Sequence, residues 1–286
     1  MTVRRRLDVE LVRRGLAPSR SHARELVAAG HVLVGGAPAE KVARLVSPAE
    51  AIVVGEPARF VGRGGQKLAA ALDVFAVEVV ARRALDAGAS TGGFTDCLLQ
   101  HGASEVVAVD VGRAQLHERL RADPRVRVLD RTNIRTLEPA SVEGGPFPLV
   151  VADLSFISLV TVAGALLRLT SVGGDMVLLV KPQFEAGRQV VSRGRGVVRD
   201  PVVWGQVIER VGCAMEDAGA VMMGVMVSPL RGADGNVEFL AHVRAHQPSE
   251  QTPLTDRIDL PALLARATPG ATPGATRRAT ERQPGW

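Results

Sequence analysis

A glycine-rich turn early in the chain has the composition of a cofactor site. Residues 85–102 read LDAGASTGGFTDCLLQHG, which predicts a strand, a tight turn and a helix. Such a turn can cradle a dinucleotide, a triphosphate or S-adenosylmethionine. The dinucleotide fingerprint needs a glycine where Ser90 stands, and the triphosphate loop needs a lysine that does not follow. The remaining pattern favours S-adenosylmethionine, held by Asp86, Gly88, Ser90, Thr91, Gly92, Gly93 and Phe94.

Acidic residues end the next two predicted strands. Asp110 closes the run EVVAVD, where a carboxylate can accept hydrogen bonds from both ribose hydroxyls of an adenosine. Asp130 closes VRVLD, and we expect it to reach the adenine. The alternative for each residue is an ordinary acid in a surface turn. Asp110 at this interval from the glycine turn makes the prediction of S-adenosylmethionine much stronger.

Two lysines and two acids are candidates for the chemistry. Asp153 follows the fourth predicted strand and Lys181 the fifth, and ligands of doubly wound sheets bind beyond those strand ends. Lys67 lies on the helix before the first strand, and Glu238 lies in the last strand pair. Such a set suits removal of a proton from a ribose 2′-hydroxyl as its oxygen attacks the methyl group in line. The alternative for Lys67 and Glu238 is an ordinary surface ion pair.

A lysine can serve as the base only under particular conditions. Its usual pKa near 10.4 is too high at neutral pH, but a cationic neighbour and burial can lower it. We expect the acids to orient the second lysine.

The elements that must position these residues alternate strand and helix. Apolar runs predict parallel strands at RALDA, EVVAVD, VRVLD, PLVVADL and DMVLLVK, with helices beginning near Gly93, Arg113, Leu159 and Asp200. This alternation predicts an α/β fold, a Rossmann-like doubly wound sheet covered by helices on both faces. AVMMGVMVSP and GNVEFLAHV then predict a final hairpin pair.

The first 58 residues predict a small α/β domain that binds RNA. Residues 1–24 contain seven arginines against Asp8 and Glu10, an excess of five charges that equals the net charge of the whole chain. Two helices are predicted, the second capped by Ser19, and two strands follow at HVLVGG and AIVVGE. The predicted RNA contacts here are Arg4, Arg6, Ser19, Arg20 and Arg24. Asp8 is interpreted as structural, and the alternative for the charge run is a solvated face.

A basic loop follows Lys181. Residues 184–200, FEAGRQVVSRGRGVVRD, carry Arg188, Arg193 and Arg195 among glycines, and we expect these to contact the RNA backbone. The alternative is a solvated crossover loop. His242 and His246 stand four apart, but no cysteine or nearby acid completes a metal site, so we expect no metal.

Composition limits the remaining possibilities. The two cysteines, Cys97 and Cys213, fit a reducing compartment, and neither a signal sequence nor a membrane span is predicted. We therefore expect a cytoplasmic monomer that does not bind membranes. Residues 247–286, with ATPGATPGAT, are predicted to be a disordered tail with at most a weak helix at LPALLARA.

Several motifs together resemble the TlyA family, also called haemolysin A. They are GRGGQKL, DAGASTGGFTD, VADLSFIS, KPQFEAGR, GVVRD and GNVEFL, and the resemblance covers about residues 4–244. Residues 6–36 are also similar to the small RNA-binding domain shared by a small-subunit ribosomal protein and many pseudouridine synthases. The resemblance implies a domain at 1–58, a linker at 59–65 and an FtsJ-like methyltransferase domain at 66–246.

The resemblance also implies an activity. TlyA proteins methylate the 2′-hydroxyl of cytidine in ribosomal RNA of the small or large subunit, using S-adenosylmethionine and a Lys-Asp-Lys-Glu tetrad. Here the tetrad falls on Lys67, Asp153, Lys181 and Glu238. The linker departs from the family pattern Arg-Ala-Trp-Val, because residues 58–61 read ARFV. Two other functions stay open: a non-catalytic ribosome assembly factor and a membrane-active haemolysin.

Overall fold

The N-terminal residues form a small α/β domain with its own core. The computed structural model describes residues 4–55, 59–187, 191–192, 194, 196–245 and 258–268. The first domain contains α1 (Leu7–Arg13), α2 (Arg20–Ala28), a β1–β4 pair (Arg5–Arg6, Leu45–Val46) and a sheet of order β3-β2-β5 (Ala37–Pro38, Val32–Val34, Ile52–Val54). Ser19 accepts a hydrogen bond from the His22 amide at 3.2 Å, which confirms the predicted cap. Leu7, Leu11 and Val27 are buried between these elements.

The second part of the chain is built on one seven-stranded sheet. Its order is β11-β12-β10-β9-β6-β7-β8, with β10, β9, β6, β7 and β8 parallel and β12 antiparallel to both neighbours. This confirms the predicted doubly wound sheet and the final hairpin pair. The strands are β6 (Arg83–Ala87), β7 (Glu105–Asp110), β8 (Val126–Asp130), β9 (Phe147–Ala152), β10 (Thr170–Val180), β11 (Ala220–Val227) and β12 (Phe239–Ala245).

Helices cover both faces of this sheet. One face packs on α3 (Arg63–Phe75) and α4 (Gly93–Gln100), and the other on α6 (Leu159–Leu169) and α8 (Pro201–Ala218). Alternate residues of a strand enter the two cores, as Leu85 and Ala84 of β6 do. The short helices α5 (Glu118–Arg121) and α7 (Pro182–Glu185) follow loops at the carboxyl ends of strands.

One prediction about this part of the fold was wrong. The helix expected near Arg113 begins only at Glu118, because Asp110 and Asp130 accept hydrogen bonds from the Gly112 and Ala114 amides and hold the intervening chain as a loop. The predicted linker at 59–65 overlaps the first turn of α3, which begins at residue 63, and the domain bounds stay a prediction.

Residues 258–268 are the part of the predicted tail that the structure describes, and they contain the helix predicted as possible at LPALLARA. Leu260–Ala267 form a helix, α9, which begins with Asp259 as its cap. Leu260, Leu263 and Ala267 are spaced to make one apolar stripe, and they are buried against α8 and β11. Among the described residues, no helix combines the length and apolar character that a membrane crossing needs.

Candidate active site

A cavity of about 400 Å³ lies beyond the carboxyl ends of the parallel strands. Its walls come from the loops after β6, β7, β8 and β9 and include Gly88, Ser90, Asp110, Gln115, Asn133, Asp153 and Phe156. A narrower recess of about 170 Å³ shares Gly88, Ser90, Asp153 and Ser155 with this cavity. Thr91, Gly93, Phe94 and Lys181 also line the recess, so it joins the glycine turn to the candidate catalytic residues.

Asp110 is fixed where the sequence predicts it. One carboxylate oxygen accepts the Ser90 amide at 2.8 Å and the other accepts the Gly112 amide at 2.7 Å. The side chain therefore links the glycine turn to the loop after β7 while it lines the cavity. Each oxygen retains a further lone pair, with which it can accept a ribose hydroxyl.

Asp86 is buried beneath the glycine turn. It accepts a hydrogen bond from the Thr95 hydroxyl at 2.7 Å, while its other oxygen has no partner among the described residues. Burial raises the pKa of this carboxyl to about 7, against the lowering effect of Thr95. A buried acceptor without a donor is uncommon in native proteins. Asp86 lines neither the cavity nor the recess, while Asp110 lines the cavity; the two carboxylates suit S-adenosylmethionine, which carries both an amino group and ribose hydroxyls.

The three glycines of the turn have different surroundings. Gly88 has φ +84°, and a Cβ there would lie 2.5 Å from the Asp153 carbonyl oxygen. Gly93 allows α4 to approach α3, since its Cβ would lie 3.0 Å from the Gly65 nitrogen. Gly92 was predicted to contact the cofactor but lines neither the cavity nor the recess; its φ is +98° and a Cβ would overlap side chains of α5 and of the preceding loop.

Asp130 is placed differently from the prediction. Its carboxylate makes an ion pair with Arg121 at 2.8 Å and accepts the Ala114 amide at 3.2 Å. It is absent from the cavity wall, where Thr132 and Asn133 stand instead. The chain turns at Arg131, with φ +54°, immediately after the strand. Strand periodicity alone does not reveal such a turn.

The four candidate catalytic residues form two ion pairs. Lys181 Nζ lies 2.5 Å from Asp153 Oδ1 and 3.0 Å from Ser155 Oγ, while Lys67 Nζ lies 2.5 Å from Glu238 Oε2. The Lys67 and Glu238 side chains are almost fully buried, so the alternative of a surface ion pair is wrong.

Sheet register explains why the two pairs are neighbours. Val180 pairs with Phe239, so Lys181 and Glu238 come one step further along adjacent strands. Gly64, one turn before Lys67, lies close to Asp153, since a Cβ there would be 3.8 Å from Asp153 Oδ2. The first turn of α3 therefore faces the same strand ends.

An exposed aromatic residue at the cavity wall was missed in the sequence. Phe156 has 91% of its surface exposed and a φ of +66°, and its ring lies 5.3 Å from that of Phe184. Phe184 in turn lies 5.8 Å from Lys181 Nζ. One feature of the sequence could have identified Phe156: it is an aromatic residue three positions after Asp153, in a loop that follows a predicted strand.

The predicted RNA contacts of the first domain lie on its surface. Arg4 and Arg24 are exposed, and Ser19 is occupied as the cap of α2. Arg6 and Arg20 both bind Asp8, whose pKa falls to about 2 because these hydrogen bonds outweigh its burial. Arg188, Arg193 and Arg195 lie outside the described residues.

The Asp8 contacts confirm its structural interpretation. Its side chain is fully buried, so Asp8 fixes two arginines at the surface and is itself unavailable for chemistry.

The two domains meet through a short connection. Phe60 is buried against Gly65, and the Val61 amide donates to Asp96 at 2.8 Å. Phe60 keeps this position of the linker aromatic, although the chain has no tyrosine and few aromatic residues. A weaker contact joins His117 to Glu40 of the first domain at 3.8 Å.

Metal ligands are not assembled in the part of the chain that the structure describes. No three His, Cys, Asp or Glu side chains there are grouped to hold an ion. His242 instead lies 2.9 Å from Asp175, and His246 falls outside the described residues.

Comparisons with known proteins agree with this geometry. A family model described as FtsJ-like methyltransferase matches residues 60–245, and one described as S4 domain matches residues 5–52. A relative from Mycobacterium tuberculosis, the 16S/23S rRNA (cytidine-2'-O)-methyltransferase TlyA, is 51% identical over 246 residues, covering 85% of this chain and 91% of the relative. YqxC of Bacillus subtilis, described as a candidate rRNA methyltransferase, is 45% identical over 86% of each chain.

A solved structure shows the same likeness over nearly the whole length. It is a candidate hemolysin from Streptococcus thermophilus, 39% identical, with a TM-score of 0.72. The match covers 93% of this chain and 96% of that one, so it includes both domains.

Proposed function

Because the chain belongs to the TlyA family of FtsJ-like methyltransferases, we propose that it methylates the ribose 2′-hydroxyl of a cytidine in ribosomal RNA. The observation that carries this proposal is the position of Lys181. Its side-chain nitrogen Nζ lies between Asp153 and Ser155, in the recess that borders the glycine turn. A hydroxyl in that recess would meet a proton acceptor and a cofactor site together.

The residues divide the work as follows. When bound, S-adenosylmethionine supplies a methyl group on a cationic sulfur, and Asp110 and Asp86 would hold its ribose and amino groups. Lys181 in its neutral form would accept the 2′-hydroxyl proton as that oxygen takes up the methyl group, with the sulfur leaving as a neutral thioether. Asp153 then stabilises the resulting ammonium. Such base catalysis contributes about 10²–10⁴-fold, and positioning of the two reactants contributes more.

Lys67 and Glu238 have a supporting role in this proposal. Both are buried, and neither lines the recess. The strand register places this buried ion pair directly beside Lys181. Glu238 balances the charge of Lys67 and keeps it in place.

An RNA substrate is supported by the surfaces around the site. The S4 domain carries exposed arginines, and Phe156 offers a ring on which an unstacked base can lie. Relatives that share both domains are named as rRNA methyltransferases. We also propose that the protein acts in the cytoplasm as a monomer, on ribosomal subunits.

The test uses purified protein, labelled S-adenosylmethionine and separated unmodified ribosomal subunits, with Lys181→Ala as the matched variant. We expect label in 2′-O-methylcytidine, identified by nuclease digestion and mass spectrometry, and its loss in the variant. The same digest shows which subunit is used. Cofactor binding without transfer to either subunit would refute the substrate and favour a non-catalytic assembly factor.

A further inference from the structure

Glu185 joins the two loops that carry the catalytic pair Asp153 and Lys181. It is the last residue of α7, the helix that starts directly after Lys181, and only 6% of it is exposed. One carboxylate oxygen accepts the Leu159 amide at 2.7 Å, and the other accepts the Ser158 hydroxyl. Glu185 therefore binds the N-terminus of α6, where a negative charge is favourable.

The contacts between the two loops form an ordered series. Lys181 binds Asp153 and Ser155, Phe184 packs on Phe156, and Glu185 binds Ser158 and Leu159. Each step along one loop is matched by a step along the other. The Lys181 contacts fix only the beginning of the 153–158 segment. A second contact is therefore needed to fix the backbone conformation of the rest of the segment.

Burying a carboxylate at position 185 lowers the free energy of unfolding through the loss of its hydration. Burial raises the pKa of Glu185, while hydrogen bonds from Ser158 and Leu159 and the charge of Arg210 oppose the rise. The Arg210 side chain donates to the Glu185 backbone carbonyl and not to its carboxylate. An apolar side chain would avoid this desolvation, yet it could not accept both hydrogen bonds.

We propose that Glu185 is a positioning residue for methyl transfer. It fixes the backbone conformation of residues 153–158 and thereby the contact between Asp153 and Lys181. This inference rests on the proposed function. It assigns Glu185 no contact with substrate or cofactor. Its effect should appear in turnover, through the placement of Asp153, more than in the affinity for RNA.

The experiment compares Glu185→Leu with Glu185→Gln. Glutamine can still accept the Leu159 amide and can donate to Ser158 Oγ, whereas leucine can do neither. We expect Glu185→Leu to lower kcat about tenfold to a hundredfold, because misplacing a reacting group by about 1 Å costs up to that much. We expect Glu185→Gln to stay within about threefold of the wild type, and KM for RNA to change little in either variant.

Controls separate positioning from a loss of stability. Asp175→Asn perturbs a buried carboxylate in the middle of β10, bound by Arg82, Arg244 and His242, and should leave kcat unchanged in the folded protein. Hydrogen exchange of the Leu159 amide should speed up in Glu185→Leu but not in Asp175→Asn. If the leucine variant does not fold, Glu185→Asp, which is one methylene too short, should fall below Glu185→Gln in kcat.

Two results would overturn the inference. One is wild-type kcat in Glu185→Leu, or in Glu185→Asp where leucine is not tolerated. The other is a loss of kcat that follows the fall in Tm equally in Glu185→Leu and Asp175→Asn. A wild-type protein that transfers no methyl group would refute the proposed function separately, because Leu159 exchange would still report whether Glu185 fixes the segment.

Discussion

Replacing Gly88 by alanine should damage both the fold and the placement of Asp153. Gly88 has φ +84°, and the new Cβ would lie 2.5 Å from the Asp153 carbonyl oxygen and 3.1 Å from Leu154 Cδ2. The left-handed backbone costs about 1–2 kcal/mol for a residue with a side chain, and overpacking against a main-chain atom costs about 1–3 kcal/mol. We therefore expect a loss of about 2–5 kcal/mol in the free energy of unfolding.

The matched control is Gly173→Ala. Gly173 has a similar φ of +73°, but no atom would lie within 4 Å of its Cβ, so only the backbone cost of about 1–2 kcal/mol applies. Thermal unfolding should show the difference, since each kcal/mol shifts Tm by about 2–4 °C in a domain of this size.

Turnover gives the second half of the Gly88 test. The oxygen that must move belongs to Asp153, whose carboxylate contacts Lys181, so kcat should fall by about 100-fold if the shift reaches about 1 Å. Gly173→Ala should leave kcat unchanged. Equal Tm losses in the two variants, with kcat intact in Gly88→Ala, would refute the idea that the close approach of these loops orients Asp153.

Three further outcomes follow from single side chains. Since the pKa of Asp86 is about 7 and its ionised form suits a cationic amino group, affinity for S-adenosylmethionine should rise between pH 6 and 8, and calorimetry of Asp86→Asn should show a weak, pH-independent affinity. Phe156→Ala should raise KM for RNA by about 5- to 150-fold through lost base stacking of about 1–3 kcal/mol, while Phe156→Trp should not; equal KM values in both would count against stacking. The pKa of Asp8 is about 2 in the folded protein, below its usual 3.8, so its contribution to stability is present above pH 4 and lost between pH 4 and 2. Asp8→Asn should therefore remove this part of the pH dependence of the free energy of unfolding, and an unchanged pH dependence would contradict the assigned ion pairs.

Residues that end strands were predictable from the sequence for a physical reason. Asp110 ends β7, and Asp153 and Lys181 directly follow β9 and β10, so apolar runs locate them to within one residue. In a parallel sheet these positions share one edge, whatever the loops do. The antiparallel register of β12 adds Glu238 to the same edge.

The orientation of a side chain was not predictable where a contact from a loop decides it. Asp130 also ends a strand, but its side chain binds Arg121 and an amide of the preceding loop instead of facing the cavity. Gly92 fits the expected turn pattern, yet its missing side chain makes room for α5. In both cases the deciding contact comes from the segment 111–121, whose structure the sequence pattern misassigned as a longer helix.

The role proposed for Glu185 could not be predicted from the sequence either. Glu185 lies in the four-residue helix α7 directly after Lys181, the proposed base, and nothing in its spacing distinguishes it from a solvated acid. Its role becomes visible only when α6 presents Ser158 and Leu159 to it across the sheet edge. Because strand ends set which residues meet and loop-to-loop hydrogen bonds set their exact separation, turnover should depend on both. Substitutions in the second group should therefore lower kcat even where every residue of the tetrad is intact.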